Sequence, residues 1–261
     1  MPTACIDGLR IGYTDTGSGL PVVFAPSLTG SKEWFHYQSL GLSDHYRIIS
    51  YDVRRARGRG PYSLDMLADD LARFLSALRI GAAGVVGHGF GGLVALKFAF
   101  LHPERAPALI LSSTAPTFAG TSDEDLLALL CPTQVGFESV WQRLWKLVRP
   151  PRTVPEDDTD PVAYLARHNG EVDAATVAAR LRILRESDLT PVLPEIAAPS
   201  LIIAGADDSP RVLAGSQLMD QRLPESTLEV IEGAGHFCFF TRHDLFNATV
   251  VDFLNRACAH L

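Results

Sequence analysis

The sequence predicts an α/β protein with a mostly parallel central sheet covered by helices on both faces. Apolar runs rich in β-branched residues alternate with longer segments of helical periodicity, which is typical of such a sheet. The chain has 261 residues, of which 47% are hydrophobic, enough for one well-buried core with a modest insertion. We therefore expect one domain with an inserted segment.

Six apolar runs predict strands, and we expect all six to be central strands buried on both faces. They are residues 20–25, 46–52, 83–88, 108–114, 200–205 and 227–233. Residues 3–16 alternate about a turn at Gly8, which predicts an antiparallel hairpin at the edge of the sheet. The sheet should therefore be mixed.

Two segments are predicted to form helices that connect strands of the sheet. Residues 63–78 carry apolar side chains at helical spacing after a Ser63 cap, and residues 91–103 form an apolar helix that ends near Pro103. Residues 117–197 contain helical patterns but no convincing buried strand. They predict a helical cap inserted into a core made of residues 1–116 and 198–261.

The middle of the predicted cap, residues 149–164, is rich in proline and acidic residues. This composition favours a loop or hinge, and a solvated linker is the simplest interpretation.

We expect a small-molecule substrate as the partner of this chain, and the composition disfavours two other classes of partner. A net charge of −7 disfavours binding to nucleic acid or an anionic membrane, and no window approaches the roughly 20 apolar residues of a membrane span. The first residues lack the pattern of a secretion signal, so we expect a cytoplasmic protein. Cysteines 5, 131, 238 and 258 have no metal-ligand spacing and are expected to be reduced thiols. No cofactor or metal is expected, and the oligomeric state stays open.

The strongest motif is the octapeptide VVGHGFGG, residues 85–92. A β-branched strand runs directly into a glycine-flanked turn and an apolar helix, the context of the G-x-S-x-G nucleophile motif. The glycines permit a tight turn, and the helix N-terminus offers amide donors to a developing anion. The central residue is Gly89, which has no side chain to attack a carbonyl. His88 is a poor substitute, because the residue before the nucleophile should point away from the pocket.

Two further motifs supply an acid and a histidine in the order that accompanies such a turn. Asp207 and Asp208 follow one predicted strand, and His236 follows the next within the sequence GAGH. With the turn motif, they make the sequence resemble the α/β-hydrolase family along essentially its whole length, most closely 3-oxoadipate enol-lactonases and bromoperoxidase-like members. The resemblance implies an α/β-hydrolase fold with Asp208 as the acid and His236 as the catalytic histidine. Asp207 is the alternative acid.

The same resemblance implies an oxyanion hole. The Ser27-Leu28 pair after the first long strand resembles the Ser-Leu of the enol-lactonase loop. On that alignment the backbone N–H groups of Leu28 and Phe90 form the hole, although an ordinary βα loop is the alternative. Residues that could line a substrate pocket, or simply pack, are Ser27, Trp34, Ser113, Trp141, Trp145 and Phe237.

Four arginines cluster between residues 54 and 59. Such a cluster could bind a carboxylate or phosphate through paired hydrogen bonds. The simpler interpretation is a solvated basic loop balanced by the nearby Asp65, Asp69 and Asp70, with Arg54 matching a framework arginine of the family.

Three hypotheses account for Gly89. In the first, glycine is a deliberate substitution in a serine hydrolase that cleaves a small ester or lactone. In the second, glycine is natural, and His236 with Asp208 forms a base dyad that activates water or the substrate, giving hydrolysis, elimination or cyclisation without a cofactor. In the third, the chain binds a ligand without catalysis.

Overall fold

The computed structural model describes residues 2–29, 31–56, 61–122, 126, 168 and 172–259. Its centre is an eight-stranded sheet with the order β1-β2-β4-β3-β5-β6-β7-β8. The strands are β1 (Thr3–Ile6), β2 (Leu9–Thr16), β3 (Pro21–Ala25), β4 (Arg47–Tyr51), β5 (Gly84–His88), β6 (Ala108–Ser112), β7 (Ser200–Gly205) and β8 (Ser226–Ile231). The β1–β2 and β2–β4 pairs are antiparallel and the others are parallel. The mixed sheet and its hairpin edge are confirmed.

Helices connect these strands and cover both faces. The helices of the described residues are α1 (His36–Leu42), α2 (Leu64–Ala77), α3 (Phe90–Leu101), α4 (Ala174–Glu186), α5 (Pro210–Arg222), α6 (Cys238–Thr241) and α7 (His243–Ala257). Helix α2 begins where predicted, since the hydroxyl of Ser63 accepts a hydrogen bond from the N–H of Met66 at 3.2 Å. None of the helices in the described ranges is long and apolar enough to cross a membrane.

The burial expected for the strands is confirmed for β3 to β7 and is wrong for β8. The five inner strands are almost entirely buried, whereas β8 pairs with β7 alone and forms the far edge of the sheet. Val230 of β8 is 45% exposed. An apolar run predicts a strand, but its place in the sheet depends on strand order, which the run does not contain.

The parallel strands bring distant parts of the sequence to one edge of the sheet. Ser27 follows β3, Gly89 follows β5, Ser113 follows β6, Asp208 follows β7 and His236 follows β8. Ligands of open α/β sheets bind at the carboxyl ends of the strands. The candidate site therefore lies at that edge.

The described part of the predicted cap consists mainly of its flanks. Helix α4 lies in this segment, Thr117 pairs with Asp188 in an isolated antiparallel bridge, and a 3₁₀ turn covers Thr190–Glu195. Leu193 and Ile196 are fully buried against the core. Trp141, Trp145 and the rest of the cap lie outside the described residues. The cap boundaries and a pocket beneath the cap stay predictions.

Candidate active site

The turn between β5 and α3 has a left-handed backbone conformation that is fixed from the neighbouring strand. Gly89 has φ 54° and ψ −116°, a conformation that costs a glycine much less than any other residue. Its N–H donates to the carbonyl of Ser112 at 3.0 Å, and its carbonyl accepts from the hydroxyl of Thr114 at 2.7 Å. These bonds hold the turn so that α3 begins directly at Phe90.

His236 is held by Asp208. Its Nδ1 lies 3.1 Å from both carboxylate oxygens of Asp208, and both side chains are buried. The N–H of Ser209 donates to the same carboxylate at 2.7 Å. Asp207, the alternative acid, is exposed. The geometry therefore pairs the histidine with the second of the two adjacent acids, and the ring orientation leaves Nε2 as the free nitrogen.

Asp208 remains ionised in this environment. Burial by itself raises the pKa of a carboxyl group, but the charge and hydrogen bond of His236 and the hydrogen bonds from Ser209 and Ser113 bring the pKa of Asp208 below its ordinary value of 3.8. An ionised acid on Nδ1 fixes the tautomer in which Nε2 can accept a proton.

Ser113 lies near the acid. Its hydroxyl is one of the groups that lower the pKa of Asp208, and the residue is 1% exposed with a φ of 45°. A non-glycine residue held in this region of backbone space is strained, and such strain is common at functional sites. The structure thus places Ser113 close to Asp208.

Ser27 lies directly beside Gly89. A Cβ atom placed on Gly89 would be 2.5 Å from Ser27 Oγ and 3.7 Å from Nε2 of His236. The N–H of Phe90 donates to the same Ser27 hydroxyl at 3.4 Å. The histidine, the helix N-terminus and the Ser27 hydroxyl therefore meet where a side chain at position 89 would project.

A family model described as alpha/beta hydrolase fold matches residues 21–243. The chain belongs to the α/β-hydrolase fold family. The predicted fold class is confirmed.

Its relatives include proteins named as lactonases and carbamate hydrolases. A candidate carbamate hydrolase, RutD, of Variovorax paradoxus is 31% identical over 92% of this chain and 94% of its own length. The 3-oxoadipate enol-lactonase 2 of Acinetobacter baylyi is 28% identical over 90% and 88%. Among solved structures, the enol-lactonase from Burkholderia xenovorans LB400 has a TM-score of 0.79 and 25% identity, covering 97% of this chain and 100% of the other.

Aromatic side chains enclose the histidine of this α/β-hydrolase site. The ring of Phe237 lies 5.4 Å from that of His236, and Trp34 packs edge-on against Phe237 at 6.5 Å. His88 is fully buried with its ring 5.0 Å from His236. Burial and the nearby His236 lower the pKa of His88 well below 6.5, so His88 is neutral at pH 7.

Cys238 is the buried thiol of this region. Its Sγ lies 3.7 Å from Ser113 Oγ and 3.9 Å from Ser112 Oγ. Burial raises the pKa of Cys238 to about 11. Since the thiolate is the nucleophilic form, the thiol is inert at neutral pH.

Arg180 of α4 is a site-related residue that the sequence analysis missed. It is fully buried, and its guanidinium donates to the carbonyls of Leu28, Val53 and Arg54. It also donates to the hydroxyl of Tyr62 at 3.0 Å and lies 5.7 Å from the ring centre of Phe90. Arg180 thus contacts both residues whose amides are the predicted oxyanion donors. Its helical periodicity carries no signal for this role, because its main partners are backbone carbonyls far away in the chain.

Arg54 of the arginine cluster binds an acid of helix α2. Arg54 forms an ion pair with Asp70 at 2.7 Å, as a framework role predicts. Asp65 pairs with Lys97 and Asp69 with His102, so these two acids have partners outside the cluster. Arg57 and Arg59 lie outside the described residues.

Proposed function

We propose that this chain hydrolyses a small carboxylic ester or lactone, with His236 as the general base and Asp208 as the acid that orients it. The observation that carries the proposal is the position of His236, whose Nδ1 is held by a buried carboxylate at 3.1 Å while its Nε2 faces the empty side-chain position of Gly89. A positioned imidazole next to a helix N-terminus is the arrangement that acyl transfer requires.

The reaction needs a hydroxyl nucleophile, a base and donors for the oxyanion. Nε2 of His236 removes the proton from the attacking hydroxyl group and later gives it to the leaving alcohol. The N–H groups of Phe90 and Leu28 stabilise the negative charge on the carbonyl oxygen of the tetrahedral intermediate. Gly89 contributes no nucleophile but leaves space beside Nε2.

The proposed substrate class, esters and lactones, is supported by the names of the relatives. The names of two of them refer to enol-lactones and carbamates, whose reacting centre is a carbonyl bonded to oxygen. The buried ring of Phe237 beside the histidine, and that of Trp34 packed against Phe237, favour a small, partly apolar acyl group.

The test compares His236→Ala with His45→Ala on a panel of p-nitrophenyl esters, enol-lactones and aryl carbamates. We expect His236→Ala to lower kcat/KM by about 10²- to 10⁴-fold, the usual contribution of a general base. His45 is exposed, so His45→Ala should have no effect.

Product analysis distinguishes the other functions. Elimination or cyclisation would give products without incorporation of oxygen from ¹⁸O-labelled water. Binding without turnover would indicate a protein that has lost catalysis. Hydrolysis at an unchanged rate in His236→Ala would contradict the proposed mechanism.

A further inference from the structure

We propose that Ser27 is the nucleophile of this site, replacing the serine that position 89 lacks. The inference rests on the proposed function and names the hydroxyl group that His236 activates. Ser27 Oγ would be 2.5 Å, and Ser27 Cβ 3.3 Å, from a Cβ atom at position 89. The hydroxyl of Ser27 therefore lies directly against the point where a side chain at position 89 would begin.

The surroundings of this hydroxyl suit a nucleophile. Ser27 is 2% exposed, and its Oγ accepts a hydrogen bond from the N–H of Phe90 at the start of α3. A donor N–H at a helix N-terminus favours the developing alkoxide. The two predicted oxyanion donors, Leu28 and Phe90, directly follow Ser27 and Gly89 in the chain. A serine at position 27 or at position 89 is therefore next in sequence to a donor of the same predicted oxyanion hole.

This arrangement also accounts for the glycine. Any side chain at position 89 would begin 2.5 Å from Ser27 Oγ, closer than non-bonded atoms can approach. In its present rotamer the hydroxyl of Ser27 thus excludes a side chain at position 89, which would require Ser27 to rotate away. Gly89 leaves the Ser27 hydroxyl in this rotamer.

The base borders the same space as this nucleophile. Nε2 of His236 lies 3.7 Å from the position that a Cβ atom on Gly89 would take, next to the Ser27 hydroxyl. Catalytic hydrogen bonds are often long or poorly aligned until the substrate binds. Among the described residues near the histidine, Ser113 is oriented toward Cys238 Sγ at 3.7 Å, and Cys238 is protonated at neutral pH.

The reaction proceeds in two balanced steps. Ser27 Oγ forms a bond to the carbonyl carbon while its proton passes to Nε2, and the carbonyl electron pair moves to the oxygen. When the pair returns, the bond to the leaving alkoxide breaks, and the alkoxide takes the proton from His236. Water then gives a proton to Nε2 and attacks the acyl group, which releases the carboxylic acid and returns the proton to Ser27.

The experiment is covalent labelling with a fluorophosphonate and with p-nitrophenyl acetate, read by intact mass and peptide mapping. We expect one adduct, located on Ser27, and a burst of p-nitrophenol of about one equivalent. Ser27→Ala should lose the adduct and at least about 10²-fold in kcat. Ser43→Ala, at a partly exposed serine outside the site, should retain both.

A double variant returns the nucleophile to the other position. In Ser27→Ala/Gly89→Ser, the new side chain no longer meets the Ser27 hydroxyl, so the adduct should move to residue 89 and activity should recover relative to Ser27→Ala. Recovery excludes the explanation that Ser27→Ala merely unfolds the site.

Different results would contradict the role of Ser27 and the proposed function. If His236→Ala abolishes hydrolysis but the native chain forms no adduct, or Ser27→Ala keeps its rate, water is the nucleophile. That result overturns the role of Ser27 and leaves the proposed function intact. If the native chain neither turns over any ester, lactone or carbamate nor forms an adduct, both proposals are wrong.

Discussion

The carboxylate of Asp208 links the chemistry of the site to the stability of the fold. Asp208 is buried and ionised, and its pKa lies below the ordinary value of 3.8 because His236, Ser209 and Ser113 stabilise the charged form more than burial disfavours it. A group whose pKa is lower in the folded than in the unfolded chain stabilises the fold fully above its unfolded pKa. That stabilisation is lost as the pH falls through the folded pKa.

We therefore predict a pH-dependent effect of Asp208→Asn. At pH 7 the variant should lower the free energy of unfolding by about 2 kcal/mol, the scale of hydrogen bonds to a charged group. The difference from the native chain should stay constant down to about pH 5 and shrink as the pH falls below about 4. Urea unfolding at pH 7, 5, 4 and 3.5 measures it.

Asp207→Asn is the matched control, because its carboxylate is adjacent but exposed. It should change the free energy of unfolding by less than about 0.5 kcal/mol at pH 7. A difference between Asp208→Asn and the native chain that grows toward acid pH would contradict the direction of the pKa shift.

The sequence identifies the residue types of the site better than their distances. The motifs around Gly89, Asp208 and His236 are local, so each can be recognised from a few neighbouring residues. Ser27 could be named only as a pocket residue. Its closeness to position 89 depends on the packing of α3 against the end of β3, which no local pattern reports.

At the scale of elements, α4 packs apolar side chains into the core and also carries a buried cation, Arg180, that binds the neighbouring loops. Arg180 supplies the guanidinium donors that bind the carbonyls of Leu28, Val53 and Arg54. Burying the Arg180 charge carries a moderate cost in folding free energy as long as all its N–H groups have acceptors. Removing the side chain leaves the buried backbone carbonyls without a donor. The helix and the oxyanion loop are therefore coupled through this residue.

We predict that Arg180→Met lowers the free energy of unfolding by about 3–5 kcal/mol, because the lost donors are not replaced. Hydrolysis should also slow, since the loop that carries Leu28 loses an anchor. Chemical unfolding and ester turnover measure the two effects. Arg182→Met is the matched control, because Arg182 lies on the same helix but is exposed. Equal effects of the two variants would show that Arg180 is not the anchor.

Sequence periodicity predicts where helices and strands lie in the chain, but not which elements pack beside them in the fold. The ranges predicted for β3 to β7 and for α2 agree with the structure to within two residues at each end. The expected burial of β8 is wrong because nothing within a strand's own sequence states whether a further strand pairs beyond it. Arg180 was missed for a similar reason, since its carbonyl partners have no side-chain identity to recognise.

At the scale of the whole molecule, the site exists because strands distant in sequence end side by side. Two halves of the site, the loop after β3 and the turn after β5, meet at Gly91. A Cβ atom on Gly91 would clash with the backbone carbonyl oxygen of Ala25 and approach that of Pro26 to 2.7 Å. Neither atom is the end of a flexible side chain, so the backbone itself would have to move.

We predict that Gly91→Ala damages both stability and activity. Separating α3 from the end of β3 should cost about 3 kcal/mol, the upper range for overpacking. At about 2–4 °C per kcal/mol for a domain of this size, Tm should fall by about 6–12 °C. The same shift moves the N–H of Phe90 away from Ser27, so labelling by the fluorophosphonate should slow more than the loss of folded protein explains.

Gly81→Ala is the control, since a Cβ there meets nothing within 4 Å. Its Tm should stay within about 3 °C of the native value. If Gly91→Ala retains the native Tm and labelling rate, the contact between the two loops does not position the site.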